Sequence, residues 1–153
     1  MKKFKLQSNR EKIMINAYDT DEFTRAYMES ILFAETDWDG EPLDASYDIS
    51  DFSQESLSAI KKDCAEFQAQ ANIGEIDGAP SYLPPAQLRQ PRKVDSDGMA
   101  GHDFWLTRAG HGGGFWDGDW PEPHGDRLTK LSEKFGGVCV TVDDDTTLMY
   151  NQV

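Results

Sequence analysis

Apolar positions recur along the chain with two periods, and the change from one to the other sets the expected architecture. Asp19-Thr20-Asp21-Glu22 offers side-chain oxygens for the free N–H groups of a helix start, and negative charge for the positive end of its dipole. Phe23, Ala26, Tyr27, Met28, Ile31 and Leu32 follow at helical spacing, predicting a helix to about Ala34. A second helix is predicted after Ser53, with Leu57, Ile60, Cys64, Phe67 and Ala71 forming one stripe at steps of three and four. Between them, residues 35–53 hold Gly40 and Pro42 and are expected to form a loop anchored on the core by Trp38, Leu43, Tyr47 and Phe52. Four prolines between Pro80 and Pro91 exclude a long regular element there, so residues 75–99 read as a proline-rich connecting segment that wraps the domain.

Beyond that segment the pattern shortens. His102–Thr107 is aromatic and β-prone, and Gly114-Phe115-Trp116 follows a glycine-rich stretch, so the two read as an antiparallel hairpin. Asp126–Phe135 predicts a further helix with Leu128, Leu131 and Phe135 inward and Gly136-Gly137 as its stop. Val138–Val142 alternates, Asp143-Asp144-Asp145 turns, and Thr146–Tyr150 returns as a second hairpin. The expectation is an α+β fold in one domain, 1–153: N-terminal helices, then a small antiparallel β-sheet with one further helix. Residues 1–12 form a flexible basic N-terminus in this reading.

Charge changes the picture most. The 153 residues carry a net charge of −13, and residues 13–88 hold sixteen acids against Arg25, Lys61 and Lys62. Eight acids and no base lie between Glu35 and Glu55. Such a chain repels phosphate backbones, which argues against direct nucleic-acid binding. Three readings of the acids remain open: a solvated surface that aids solubility, a surface that competes for a protein's basic nucleic-acid-binding groove, or weak divalent-cation binding. No apolar run is long enough to span a bilayer, and the start lacks the apolar stretch of a secretion signal, so a cytoplasmic protein is expected. Cys64 and Cys139 read as buried free thiols.

The stretch Gly101–Asp119, GHDFWLTRAGHGGGFWDGD, concentrates the candidate chemistry. His102, His111 and His124 lie near Asp103, Asp117, Asp119 and Asp126, yet their spacing matches no compact metal-ligand pattern, and no metal site or cofactor is expected. Gly110–Gly114 lacks the following helix and the Lys-Ser/Thr of a phosphate cradle. His111-Gly112-Gly113-Gly114 has the form of an esterase oxyanion loop, but no GxSxG elbow accompanies it. Asp103 and Asp117 are a candidate acid/base pair. Asp143-Asp144-Asp145 lacks the spacing of a calcium loop and reads as a turn. The scaffold reading of the stretch is that its glycines allow positive φ and let Trp105, Phe115 and Trp116 pack against backbone.

The same residues carry a resemblance. GHDFWLTR-x-GHG-x-GFWD, from Gly101 to Asp117, is similar to a string shared by small proteins encoded by tailed bacteriophages and prophages. GEPLD (Gly40 to Asp44), DCAEF (Asp63 to Phe67), GDRLT (Gly125 to Thr129) and the acidic C-terminal hairpin also look similar, so the likeness covers about two thirds of the chain. It implies origin rather than mechanism. Small acidic phage proteins often bind a host or phage protein, some by presenting DNA-like charge.

Two functions are therefore expected. The first is a non-enzymatic phage accessory protein in the bacterial cytoplasm that binds a host or phage protein, in particular a nucleic-acid-binding one. Its contacts would be Asp37, Trp38, Asp39, Asp44 and Asp48, with Trp105, Trp116 and Trp120 where exposed. The alternative is a small enzyme or a metal- or nucleotide-binding protein using His102, Asp103, Arg108, His111 and Asp117, with Arg108 holding an anion and a histidine moving protons.

Overall fold

Asp21 caps the first helix, α1 (Glu22–Ala34), by accepting a hydrogen bond from the Thr24 backbone N–H at 2.8 Å. The structure is a computed structural model that describes residues 15–71, 75–76, 79–80, 96–110, 112–117, 120, 124–144 and 146–153. The basic segment 1–12, most of the proline-rich segment, His111 and Asp119 lie outside the described residues. Ser53 caps α2 (Gln54–Gln70) by accepting from the Ser56 N–H, and the stripe Leu57, Ile60, Cys64, Phe67 is buried as the spacing predicts. Residues 35–53 form the expected loop, tightened by 3₁₀ turns at Leu43–Ala45 and Ile49–Asp51.

Within the segment 75–99, Glu75–Ile76 (β1) pairs antiparallel with Ala79–Pro80 (β2), and a helix, α3 (Ser96–Ala109), begins at its end. This helix corrects the first expected hairpin, because His102–Thr107 lies inside α3 and forms no strand. Ala100, Phe104 and Arg108 are buried at steps of four, with Gly101 and Trp105 beside them, so the buried face follows the helical period. α3 packs along α1 at Gly101, where a Cβ would overlap the carbonyl oxygen of Phe23 and sit 2.9 Å from its carbon. Only glycine allows that approach.

After α3 the chain turns through positive-φ glycines at 110, 112 and 114 and enters α4 (His124–Lys134), whose Leu128 and Leu131 are buried as expected. The second hairpin forms as the alternation predicts. β3 (Val138–Val142) pairs antiparallel with β4 (Leu148–Gln152), with Val140 opposite Tyr150. Beyond residue 95, two helices, α3 and α4, thus stand where one was expected, and one hairpin among the described residues where two were, within an α+β fold around a single core.

Aromatic rings fill the centre of that core. Phe67 of α2 stacks on Phe104 of α3 with centroids 4.1 Å apart and also on Phe23 and Phe115, each at 5.6 Å. Tyr27 meets Trp105 edge-on at 5.6 Å. Such pairs contribute about 0.5–1.5 kcal/mol each beyond the area they bury. Trp38 and Cys139 depart from expectation: Trp38 does not anchor its loop but stands 84% exposed, and Cys139 is exposed while Cys64 is buried. Both cysteines are free thiols.

Candidate functional site

Three groups of side chains bear on function: the residues of the 101–117 string, the polar cluster around Arg108, and the acidic loop that carries Trp38. In the string, His102, Asp103, Thr107, Arg108 and Asp117 each have a partner that supports the fold, whereas the buried indole N–H of Trp105 has none among the described residues. His102 Nδ1 meets the Ser30 hydroxyl of α1 at 2.6 Å. Asp103 is buried and accepts from the Trp120 indole N–H at 2.5 Å. The Thr107 hydroxyl accepts from the Phe115 N–H at 3.2 Å, and the Asp117 carboxylate accepts from the Gly114 N–H at 3.3 Å, which together fix the glycine turn against α3. Of the five residues proposed for catalysis, His102, Asp103 and Arg108 engage three separate neighbours, Asp117 is exposed on the turn, and His111 lies outside the described residues. No group of three or more His, Cys, Asp or Glu side chains is placed to hold a metal among the described residues.

Arg108 is the polar centre of the interior. Its residue is only 7% exposed. Nη1 donates to Asp63 at 2.8 Å, to the Tyr150 hydroxyl at 2.7 Å and to the Tyr27 hydroxyl at 3.1 Å. Nε donates to the Gly136 carbonyl and Nη2 to the Phe135 carbonyl, at 3.0 and 2.9 Å, so the guanidinium also ties down the end of α4. Tyr150 donates to Asp63 at 2.8 Å, and Gln152 donates to the same carboxylate oxygen at 3.1 Å. The rings of Phe104 and Phe135 flank the cation at 5.3 and 5.8 Å.

This environment settles the charge states. Burial pushes the Tyr27 and Tyr150 hydroxyls well above their usual range, outweighing the pull of the Arg108 charge, so both stay neutral donors. Burial alone would lower Arg108, but Tyr27, Tyr150 and Asp63 more than offset it, and the guanidinium stays charged. The anion that Arg108 holds is therefore the protein's own Asp63. A groove of about 360 Å³ lined by Asp63, Glu66, Gln70, Lys134, Phe135 and Gln152 opens beside the cluster, with carboxylates on its wall.

Sequence reasoning missed Asp63, Tyr27, Tyr150 and Gln152 as partners of Arg108. The signal was an arginine in phase with Ala100 and Phe104 on a helix face, since a buried cation requires a carboxylate.

The acidic loop is built differently. Residues 35–43 close as a small hairpin of their own: Leu43 N–H donates to the Glu35 carbonyl at 2.9 Å and Asp37 N–H to the Glu41 carbonyl at 2.8 Å. The Asp37 carboxylate accepts from the Asp39 and Glu41 N–H groups at 2.9 and 3.0 Å, and Gly40 takes positive φ at 81° to complete the turn. Trp38 sits in this turn with its indole in solvent and its Nε1 donating to the Val142 carbonyl of β3 at 3.3 Å. Asp39, Glu41, Asp44 and Asp48 are exposed and Asp37 is half-buried. Of the tryptophans proposed as partner contacts, Trp105 and Trp120 are buried in the core and are withdrawn from that role, whereas Trp38 and Trp116 are exposed.

Fold and site together define a small α+β protein whose buried Arg108 and Asp103 are partnered by its own scaffold and whose accessible loop is acidic. Compared with known protein families, with curated proteins and with solved structures, the chain finds no match in any of the three. No helix among the described residues is long and apolar enough to cross a membrane.

Proposed function

We propose that this chain is a non-catalytic binding protein of phage origin that acts in the bacterial cytoplasm on a host or phage protein with a basic, nucleic-acid-binding surface. The observation that carries the reading is the distribution of charge. Asp39, Glu41, Asp44 and Asp48 point into solvent on a base-free loop, while Arg108, the cation at the centre of the fold, is turned inward and neutralised by Asp63. An exposed acidic face of this kind steers a basic partner towards it and repels nucleic acid.

The test is affinity capture from host lysate with the natural chain and with Asp37, Asp39, Asp44 and Asp48 changed to lysine, followed by a DNA-release assay on each captured protein. A basic DNA-binding protein captured by the natural chain, lost at least tenfold with the charge-reversed chain, and released from DNA by the former alone is the expected result. Equal capture of the same partner by both chains refutes the reading.

A further inference from the structure

We propose that the outer edge of β3, together with the Trp38 turn, is a docking groove for an extended basic segment of a protein partner, which adds to the β3–β4 sheet as a third strand. The proposal rests on the acidic-partner reading above and names the surface through which it operates.

The edge follows from the hydrogen-bond register. Val153 N–H donates to the Gly137 carbonyl and Asp143 N–H to the Thr147 carbonyl, so the odd-numbered residues of β3 turn their peptide groups towards β4. The even-numbered residues of both strands therefore face away from the partner strand. On β4 those outward groups are used: the Leu148 carbonyl accepts from the Ser53 N–H at 3.0 Å, and the Tyr150 N–H donates to the Ser56 hydroxyl at 2.9 Å. On β3, the Val142 carbonyl receives the Trp38 indole, and the outward peptide groups of Val140 meet no partner among the described residues. Beside them runs a groove of about 230 Å³ lined by Thr36, Asp37, Trp38, Val140, Thr141 and Val142. A strand edge of this kind is a template for main-chain pairing, and strand addition is a recurrent mode of peptide recognition.

Charge and the indole select the occupant. Both walls come from stretches without a basic residue, 35–55 and 135–153, with Asp37, Asp39 and Glu41 on one side and Asp143 and Asp144 at the turn that follows β3. A lysine or arginine side chain entering the groove would lay its methylenes on the Trp38 ring, with its charge within the field of these acids. A second copy of this chain is disfavoured as the occupant, because each brings a net charge of −13 and the same acidic walls.

The probe is a blocked seven-residue peptide of alternating lysine and valine, titrated into ¹⁵N-labelled protein at low salt and followed by amide and indole resonances. Three control arms run beside it: the same peptide N-methylated at alternate amides, a glutamate–valine peptide, and the Trp38→Ala chain. Because the Trp38 side chain is exposed, that substitution leaves the fold intact, which its spectrum verifies. Binding is expected to shift the Val140 and Val142 amides and the Trp38 indole. It should fall at least tenfold in Trp38→Ala, as for an aromatic anchor at an interface, and be lost for the N-methylated and glutamate peptides. Peptide binding that persists on N-methylation, or that shifts only amides of residues 44–51, overturns the groove and leaves the acidic-partner reading standing. No binding of the basic peptide to any part of the protein overturns both.

Discussion

Replacing Arg108 with methionine removes a cation that makes six contacts within 3.5 Å, to Asp63, Tyr27, Tyr150, Gln152 and the Phe135 and Gly136 carbonyls. Methionine fills most of the volume but donates nothing. Asp63, with a side chain only 14% exposed, is left without its counter-ion, and two carbonyls at the end of α4 lose their donor. Breaking one partner out of a buried ion pair costs about 3–5 kcal/mol. A folded domain has about 5–15 kcal/mol in total, so the loss is a large share of it. For a chain of this size it corresponds to a fall in Tm of roughly 6–20 °C. The exposed Arg25–Glu29 pair, 3.1 Å apart on α1, is the internal control: Arg25→Ala should cost only about 0.3–0.5 kcal/mol. Urea unfolding followed by far-UV circular dichroism measures both. Adding Asp63→Leu to Arg108→Met should recover part of the loss, because an apolar pair needs no compensation, and the double-mutant cycle reads the coupling directly. If Arg108→Met costs under about 1 kcal/mol, or if Asp63→Leu adds to the damage in full, the cluster is not what holds these elements together.

Stability should decline as pH rises above about 10. Tyr27 and Tyr150 are held neutral in the fold but ionise in the unfolded chain near their ordinary value, so the unfolded state sheds protons that the folded state keeps, at up to about 1.4 kcal/mol per pH unit for each tyrosine. Tyr27→Phe should flatten that slope in a pH series of urea midpoints, and an unchanged slope would contradict the burial assigned to the hydroxyl. Gly101→Ala should destabilise by at least about 1–3 kcal/mol, because its Cβ collides with the Phe23 backbone rather than with a movable side chain, and thermal denaturation reads it. Cys139 should react with an aromatic disulfide reagent in the folded protein and Cys64 only on unfolding, since burial also raises the Cys64 thiol. Two fast-reacting thiols in native buffer would refute that placement.

The elements that were legible in the sequence are those whose buried positions are apolar. In α2, Leu57, Ile60, Cys64 and Phe67 announce the helix, and in β3, Val138 and Val140 alternate with exposed Cys139 and Thr141. α3 was hidden because its inward face includes Asp103 and Arg108, which a hydropathy pattern counts as outward, and Gly101, which reads as a breaker. Phe104 and Trp105 side by side also favour a strand locally, and tertiary packing overrides that preference. The string was legible as the place where polar side chains concentrate, but not their partners, since Ser30, Asp63 and Trp120 lie outside it in the sequence. The acidic loop was legible as a loop. That its own backbone bonds would hold Trp38 out in solvent, rather than against the core, depends on Asp37 bridging two N–H groups, which no periodicity encodes.

The Arg108 cluster draws side chains from α1, α2, α3 and β4, and the hydroxyls of Tyr27 and Tyr150 meet across 123 residues of chain. A partial structure that lacks α2 strands a cation, one that lacks α3 strands an anion, and one that lacks α1 or β4 leaves Arg108 short of a tyrosine hydroxyl. Local opening of any one element is thereby coupled to the rest, which merges segments that would otherwise open independently into one cooperative unit. Slow-exchanging amides in all four elements should share a single opening free energy, so the chain is expected to lose its structure as a whole rather than by peeling.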